Sequence, residues 1–196
     1  MSEAAVGTSG WERALMAAEK VKERLSRATR ALDAAGVRYA VAGGNAVAEW
    51  VGRIDEDAVR NTRDVDLLVR RSDLPAARAA LEAAGFVYHH VLNVDIFIDG
   101  PQGKPSGGVR LLFAGEKVRP GDEHPLPDLD ESERAVGFQV ASLEALVRMK
   151  LIAWRDKDRT HLRDLIGVGL VDATWPARLP PRLGDRLQQL LDDPDG

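Results

Sequence analysis

The chain has 196 residues, 44% hydrophobic and 30% charged, which suits one domain with a substantial core. Its formal net charge of −4 argues against a broad nucleic-acid-coating surface but leaves room for a local basic pocket. The absence of cysteine excludes disulfides, thiolate metal sites and thiol chemistry; with no signal-peptide pattern and no apolar run of roughly 18–20 residues, a cytoplasmic protein without a membrane segment is expected.

Residues 1–10 read as a loose start. From Trp11 to Ala35, Leu15, Ala18, Val21, Leu25, Ala28 and Leu32 recur at helical spacing, and Gly36 stops the helix. Val37–Ala42 reads as a strand. Gly43-Gly44 breaks it, and Asn45 is placed to cap a helix from Ala46 to about Gly52. Arg53–Arg63 is a polar connector, and Asp64–Val69 (DVDLLV) a second strand.

Ser72 opens a further helix, with Pro75 in its first turn, and Gly85 closes it. Phe86–Val91 and Val94–Ile98 read as strands. Asp99–Gly108 is a Gly- and Pro-rich loop, and Val109–Ala114 a returning strand. Glu116–Glu133 is acidic and irregular, and Phe138–Val140 a last short strand. Three helices follow: one capped by Ser142 and running to about Trp154, one from Asp158 to about Gly167, one from Pro181 to Leu191. No internal repeat or long linker divides the chain, so 1–196 is expected to form one domain. Its fold class is α/β, a mixed sheet with flanking helices and a helical C-terminal part over 142–192.

Four features bear on chemistry. In Asp64-Val65-Asp66, residues two apart share a strand face, so both carboxylates project together while Val65, Leu67 and Val69 face the core. Two like charges held close favour a cation between them, and Mg²⁺ (or Mn²⁺) suits oxygen ligands. The alternative is an aspartate at a strand edge beside one that ends a loop. Gly43-Gly44, between a strand and a helix, is either an ordinary turn or a phosphate cradle at a helix N-terminus.

Lys150 falls within or beside the stripe Leu143, Leu146, Val147, Leu151, Trp154. It either snorkels to solvent or points into a cleft toward a triphosphate. In the run Arg155–Arg159, Asp158 is placed as a helix N-cap, and Arg155 and Lys157 are within reach of a phosphate. His161 and Asp164 share a helix side, as a surface hydrogen bond or a ligand-orienting pair. No zinc spacing, no G-x-S-x-G and no Ser-His-Asp set is present.

Together, Gly43-Gly44 and Thr62-Arg63-Asp64-Val65-Asp66-Leu67-Leu68-Val69 resemble the signature of the nucleotidyltransferase (DNA polymerase β-like) superfamily. The stretch Ser142–Lys150, followed by Lys157-Asp158 and Arg163-Asp164-Leu165, is similar to the helical region of its AbiEii-type branch, which includes toxins of toxin–antitoxin systems. The resemblance covers roughly residues 37 to 170 and implies a nucleotidyltransferase fold. It implies that Gly43, Gly44, Arg63, Lys150 and Arg155 bind nucleotide and that Asp64 and Asp66 hold the metal. The implied reaction moves a nucleoside monophosphate from a nucleoside triphosphate to an acceptor: a tRNA end, a small molecule or a protein.

Two departures stand out. Nineteen residues separate Gly44 from Asp64, longer than the family's spacing, and Arg53–Asn61 suits a loop over the site. The family's third carboxylate, general base or second metal ligand, falls at Arg110 in Val109-Arg110-Leu111-Leu112. Asp95, on the preceding strand, is the substitute within reach. Three outcomes stay open: Asp95 completes the catalytic set, one metal suffices, or the chain is an inactive nucleotide-binding relative acting as a sensor or toxin–antitoxin-type partner.

Overall fold

The computed structural model describes residues 9–193. The expected loose start lies outside the described residues over 1–8. At its end, Ser9 caps the first helix, α1 (Gly10–Ala34), in a reciprocal capping box with Glu12.

Helix α1 leads into β1 (Tyr39–Ala42), then α2 (Gly43–Gly52), β2 (Val65–Val69), α3 (Leu74–Ala83), β3 (Phe86–Val91), β4 (Val94–Asp99) and β5 (Val109–Phe113). The chain closes with β6 (Ser132–Arg134), β7 (Gln139–Ala141), α4 (Leu143–Ala153), α5 (Asp156–Gly167) and α6 (Pro181–Asp192). Ser132 and Glu133, expected in an irregular stretch, belong to β6, because they pair with Ala141 and Val140.

The seven strands form one mixed sheet in the order β3-β4-β5-β2-β1-β7-β6. β2 lies antiparallel to β1 and parallel to β5, and β1 lies parallel to β7. Alternation along the strands gives the sheet two different faces. Val41, Leu67, Val69, Val109, Leu111 and Phe113 enter the main core, shared with the apolar sides of the helices. Helices α1 and α3 pack on each other, and α1 lies against β2 and β5. Ala40, Ala42 and Leu68 face the other way, under Leu126, Leu129 and Met149. That second face is only partly covered, and the remaining gap is where β2 and β5 present their polar residues.

The mixed α/β sheet with flanking helices is as the sequence suggests, but two helix starts are not. Helix α2 begins at Gly43, directly after β1, with Ala42 at the N-cap. Asn45 is therefore inside the helix and caps nothing. Its side-chain amide instead donates to the backbone carbonyl of Asp64 at 2.8 Å, tying α2 to the start of β2. Helix α5 begins at Asp156, with Arg155 at the N-cap and Asp158 in the N3 position. Asn45 is thus spent on a tertiary contact, whereas Asp158 still serves the cap from inside the helix, accepting the backbone N–H of Arg155 at 3.3 Å.

Candidate functional site

The polar gap on the second sheet face opens into a cleft of about 640 Å³. One wall is the end of β2 with the Gly43-Gly44 turn, the floor includes Arg110 and Leu112 of β5, and the opposite wall carries Lys150 of α4 and Arg155, Asp158 and His161 of α5. Leu92, Asn93 and Val94, at the β3–β4 hairpin, and Lys117, Val118 and Arg119 line its outer end.

The turn of β1 into α2 fits its surroundings only with glycine. Gly43 has φ +65°, and a Cβ there would overlap the Asp66 carboxylate. At Gly44 a Cβ would lie 2.7 Å from Oγ1 of Thr62. The two glycines thus let the connector before β2 and the Asp66 carboxylate press against the first turn of α2. That turn lines the cleft, with the positive end of its dipole and its unpaired N–H groups.

Asp64 and Asp66 do project on one face, toward the cleft. Between them is the guanidinium of Arg110. Its Nε donates to Oδ1 of Asp66 at 2.9 Å, and its Nη2 lies 3.0 Å from Oδ2 of Asp64 and 2.8 Å from Oδ1 of Asp66. The parallel β2–β5 register pairs Asp66 with Arg110, so the backbone itself places this cation beside the carboxylates. Every side chain involved is partly buried, Asp66 most deeply.

Asp95 is not brought to this pair. In the β4–β5 register it lies opposite Leu111, while Ile96 lies opposite Arg110. Directly paired residues share a face, so Asp95 points to the far side of the sheet from Asp66. There it is buried, accepts from the Tyr88 hydroxyl at 2.5 Å and lies 3.0 Å from Nδ1 of His90. A one-residue difference in register thus sets Asp95 apart from the Asp64–Asp66 pair.

This geometry decides how a divalent ion fits. Two carboxylates are present, but the position between them is taken by a guanidinium that both bind. Among the described residues no group of three or more His, Cys, Asp or Glu side chains is arranged to hold a metal ion. As arranged here, the residues do not fit a bound Mg²⁺.

On the opposite wall Lys150 neither snorkels nor stands free. It is buried, 3.2 Å from Oδ1 of Asp158 and 2.8 Å from Nδ1 of His161. Burial lowers its pKa, and the charges of Asp158 and, across the cleft, Asp66 oppose that fall. Asp158 is 1% exposed and also accepts from Arg155 Nε at 2.6 Å. Burial would raise its pKa, but the hydrogen bond from Arg155 and the charge of Lys150 outweigh this and hold it low. The hydrogen bond to Asp158 in turn raises the pKa of Arg155, with smaller help from Asp66 and Asp64.

Burial and the neighbouring Lys150 charge push His161 down to about 4, so its imidazole is neutral near pH 7. The Lys150 ammonium donates to Nδ1, which assigns the ring proton to Nε2. Asp164, expected beside His161, is instead bound by Arg60 at 2.8 Å, which fastens the connector after α2 to α5.

Eight cationic and five anionic side chains line the cleft, three positive charges in excess on a chain whose net charge is −4. Among the described residues Arg63 and Lys157 line it without an ion pair of their own, and both are exposed. Of the residues singled out in the sequence, Gly43, Gly44, Arg63, Asp64, Asp66, Lys150 and Arg155 line the cleft. The sequence did not show Arg110 as the partner of both aspartates, nor Asp158 as the buried counter-ion of Lys150. For Asp158 a signal existed, a carboxylate eight residues after an unexpected lysine in an apolar stripe.

Residues 9–126 match the model of a family described as uncharacterised nucleotidyltransferases. No curated protein matches the sequence. Among solved structures, an antigenic nucleotidyltransferase-like protein from Paracoccidioides brasiliensis aligns over 90% of this chain and 90% of its own, with 22% identity and a TM-score of 0.59. The antibiotic-resistance factor ANT(2'')-Ia aligns over 90% of this chain and 93% of its own, with 14% identity and a TM-score of 0.55. Likeness at this identity concerns the fold, and the shared fold is that of nucleotidyltransferases.

Proposed function

The chain belongs to the family of uncharacterised nucleotidyltransferases, and from that premise we propose that its cleft binds a nucleoside triphosphate and transfers the nucleotidyl group to a small polar acceptor. The observation that carries the reading is the concentration of positive charge in one cleft of an acidic protein, against the glycine turn that opens α2. A triphosphate is the common ligand that such a cleft suits, since cations and helix N-terminal N–H groups both favour phosphate oxygens.

In this reading Gly43 and Gly44 offer the backbone of the first α2 turn to the phosphates. Arg63 and Lys157 meet them from the two walls, and Arg155, held by Asp158, adds a fixed guanidinium. Lys150 lies deeper and sets the potential of the wall. The acceptor oxygen attacks the α-phosphorus, its proton passes to a carboxylate of the Asp64–Asp66 pair, and pyrophosphate leaves toward the cationic wall. The outer cleft, with Leu92, Val94 and Val118 beside Lys117, Arg119 and Asp122, suits a compact acceptor with both apolar and polar parts. A cytoplasmic location, where nucleoside triphosphates are available, goes with this reading. So does the AbiEii-type assignment, which rests on Ser142–Lys150, Lys157-Asp158 and Arg163-Asp164-Leu165.

A second reading, nucleotide binding without turnover, is favoured by Arg110, which engages both aspartates at once. The experiment that separates the two offers each of the four α-labelled nucleoside triphosphates with small amines and alcohols, total RNA and the protein itself as acceptors. Transfer lost in Asp64→Asn/Asp66→Asn supports the first reading. Nucleotide bound by wild type without transfer to any acceptor establishes the second, and absence of binding removes both.

A further inference from the structure

We infer that Arg110 is the built-in counter-ion of the Asp64–Asp66 pair, so that the site handles its nucleotide with no divalent cation bound between these carboxylates. The inference rests on the nucleotide-binding reading above and concerns how the same site balances its charge.

Three independent restraints hold the arrangement. The β2–β5 register sets Arg110 directly beside Asp66, and the guanidinium fork bridges to Asp64. Gly43 backs the Asp66 carboxylate closely, limiting its withdrawal from Arg110. Asn45 holds the Asp64 carbonyl from α2 at 2.8 Å, fixing the backbone from which Asp64 projects. The contact is therefore a product of sheet pairing and local packing, not of one long side chain finding a neighbour.

The charge count points the same way. The pair carries two negative charges and Arg110 returns one positive charge; from across the cleft Arg155 acts on both aspartates and Lys150 on Asp66, with Asp158 offsetting one of these two cations. An arginine does not give up its proton to make way for a metal. A divalent ion would have to displace the fork and then share the site with its guanidinium, facing a wall where Lys150 and Arg155 have only Asp158 between them. Neither Arg110 nor Asp95, which faces the far side of the sheet, supplies the further carboxylate that would offset this. Mg²⁺ gives up its water reluctantly and is poorly matched to such a position. The triphosphate charge would instead be met by side-chain cations.

The test is a titration of Mn²⁺ followed by electron paramagnetic resonance on the purified full chain without nucleotide. Wild type is compared with Arg110→Ala, Arg110→Asp and Asp64→Asn/Asp66→Asn. Wild type is expected to show no saturable site below about millimolar Mn²⁺. Arg110→Ala and Arg110→Asp are expected to gain one site at least about tenfold tighter, and that gain should vanish when the Asn pair is added.

Should either variant fail to fold, Arg110→Gln reads the same quantity, removing the charge while keeping a polar side chain of similar reach. Wild type binding one Mn²⁺ at micromolar concentration through Asp64 and Asp66 would overturn the inference. So would Arg110 variants that gain nothing. A fluorescent ATP analogue titrated in EDTA tests the nucleotide reading separately. Its failure to bind in EDTA and in added Mg²⁺ alike would remove that reading and leave the Mn²⁺ result standing. Binding restored only by added Mg²⁺ would count against Arg110 as the substitute cation.

Discussion

The carboxylate of Asp66 occupies the space that a side chain at Gly43 would need, while Gly43 itself has φ +65°. Two penalties therefore act on one position: the left-handed backbone, which disfavours any Cβ, and the overlap with Asp66. Gly43→Ala is expected to lose about 1–3 kcal/mol of stability, read as a lower urea midpoint with unchanged slope. A midpoint equal to wild type would mean that Asp66 moves freely.

Asp158 is the buried centre of its wall, bound by both Lys150 and Arg155. Removing a carboxylate from such a site leaves a buried ammonium without compensation. Asp158→Ala should cost about 3–5 kcal/mol in urea denaturation. Lys150→Met removes the cation instead and leaves Asp158 with Arg155, so a smaller loss of about 1–2 kcal/mol is expected. Reversal of that order would show that Lys150, not Asp158, organises the wall.

His161 gives the fold a pH dependence. Its folded-state pKa of about 4 lies below the ordinary 6.5, so the unfolded chain binds the proton more readily. The corresponding stability is complete above pH 6.5 and is lost as pH falls toward 4. Allowing for partial exposure, the loss is about 2 kcal/mol. Urea midpoints at pH 7 and pH 4.5 measure it, and His161→Asn should flatten the difference between them. A His161→Asn variant with the wild-type slope would assign the pH dependence to other groups.

Arg63 and Lys157 line the cleft from opposite walls, and neither is neutralised by an ion pair among the described residues. Arg63→Ala and Lys157→Ala should each weaken binding of a fluorescent ATP analogue about two- to fivefold, with the loss shrinking at high salt. Unchanged affinity in both would move the phosphates elsewhere.

The tip of the β3–β4 hairpin is strained for its residue types. Leu92 and Asn93 have φ of 50° and 62°, and Leu92 is 92% exposed. Two consecutive positive φ values suit Asn-Gly. The double change Leu92→Asn/Asn93→Gly should raise stability by about 0.5–1 kcal/mol in thermal unfolding. A fall would indicate that Leu92 has a packing role in solution.

Periodicity was enough to find the helices, the strands other than β6 and the shared face of Asp64 and Asp66, because those depend on neighbours two to four residues apart. Asn45 and Asp158 show its limit. Both have the chemistry of a helix cap, yet Asn45 is spent on the Asp64 carbonyl, and Asp158 binds Lys150 of another helix besides the Arg155 N–H that it caps. Asp95 and Arg110 show a sharper one. Which face a strand residue presents relative to another strand depends on register, and nothing local distinguishes Asp95 opposite Leu111 from Asp95 opposite Arg110.

The family match ends at residue 126, but β1 has its second neighbour in β7, at Gln139–Ala141. Every residue of β1 is buried. A chain cut at 126 would turn β1 into a bare sheet edge and uncover Met149's side of Ala40, Ala42 and Leu68. It would also lack the wall built from α4 and α5. The segment that carries the family's hallmark is thus expected to aggregate when expressed alone, and dissection at the family boundary would leave one wall and the floor of the cleft on a sheet with an open edge.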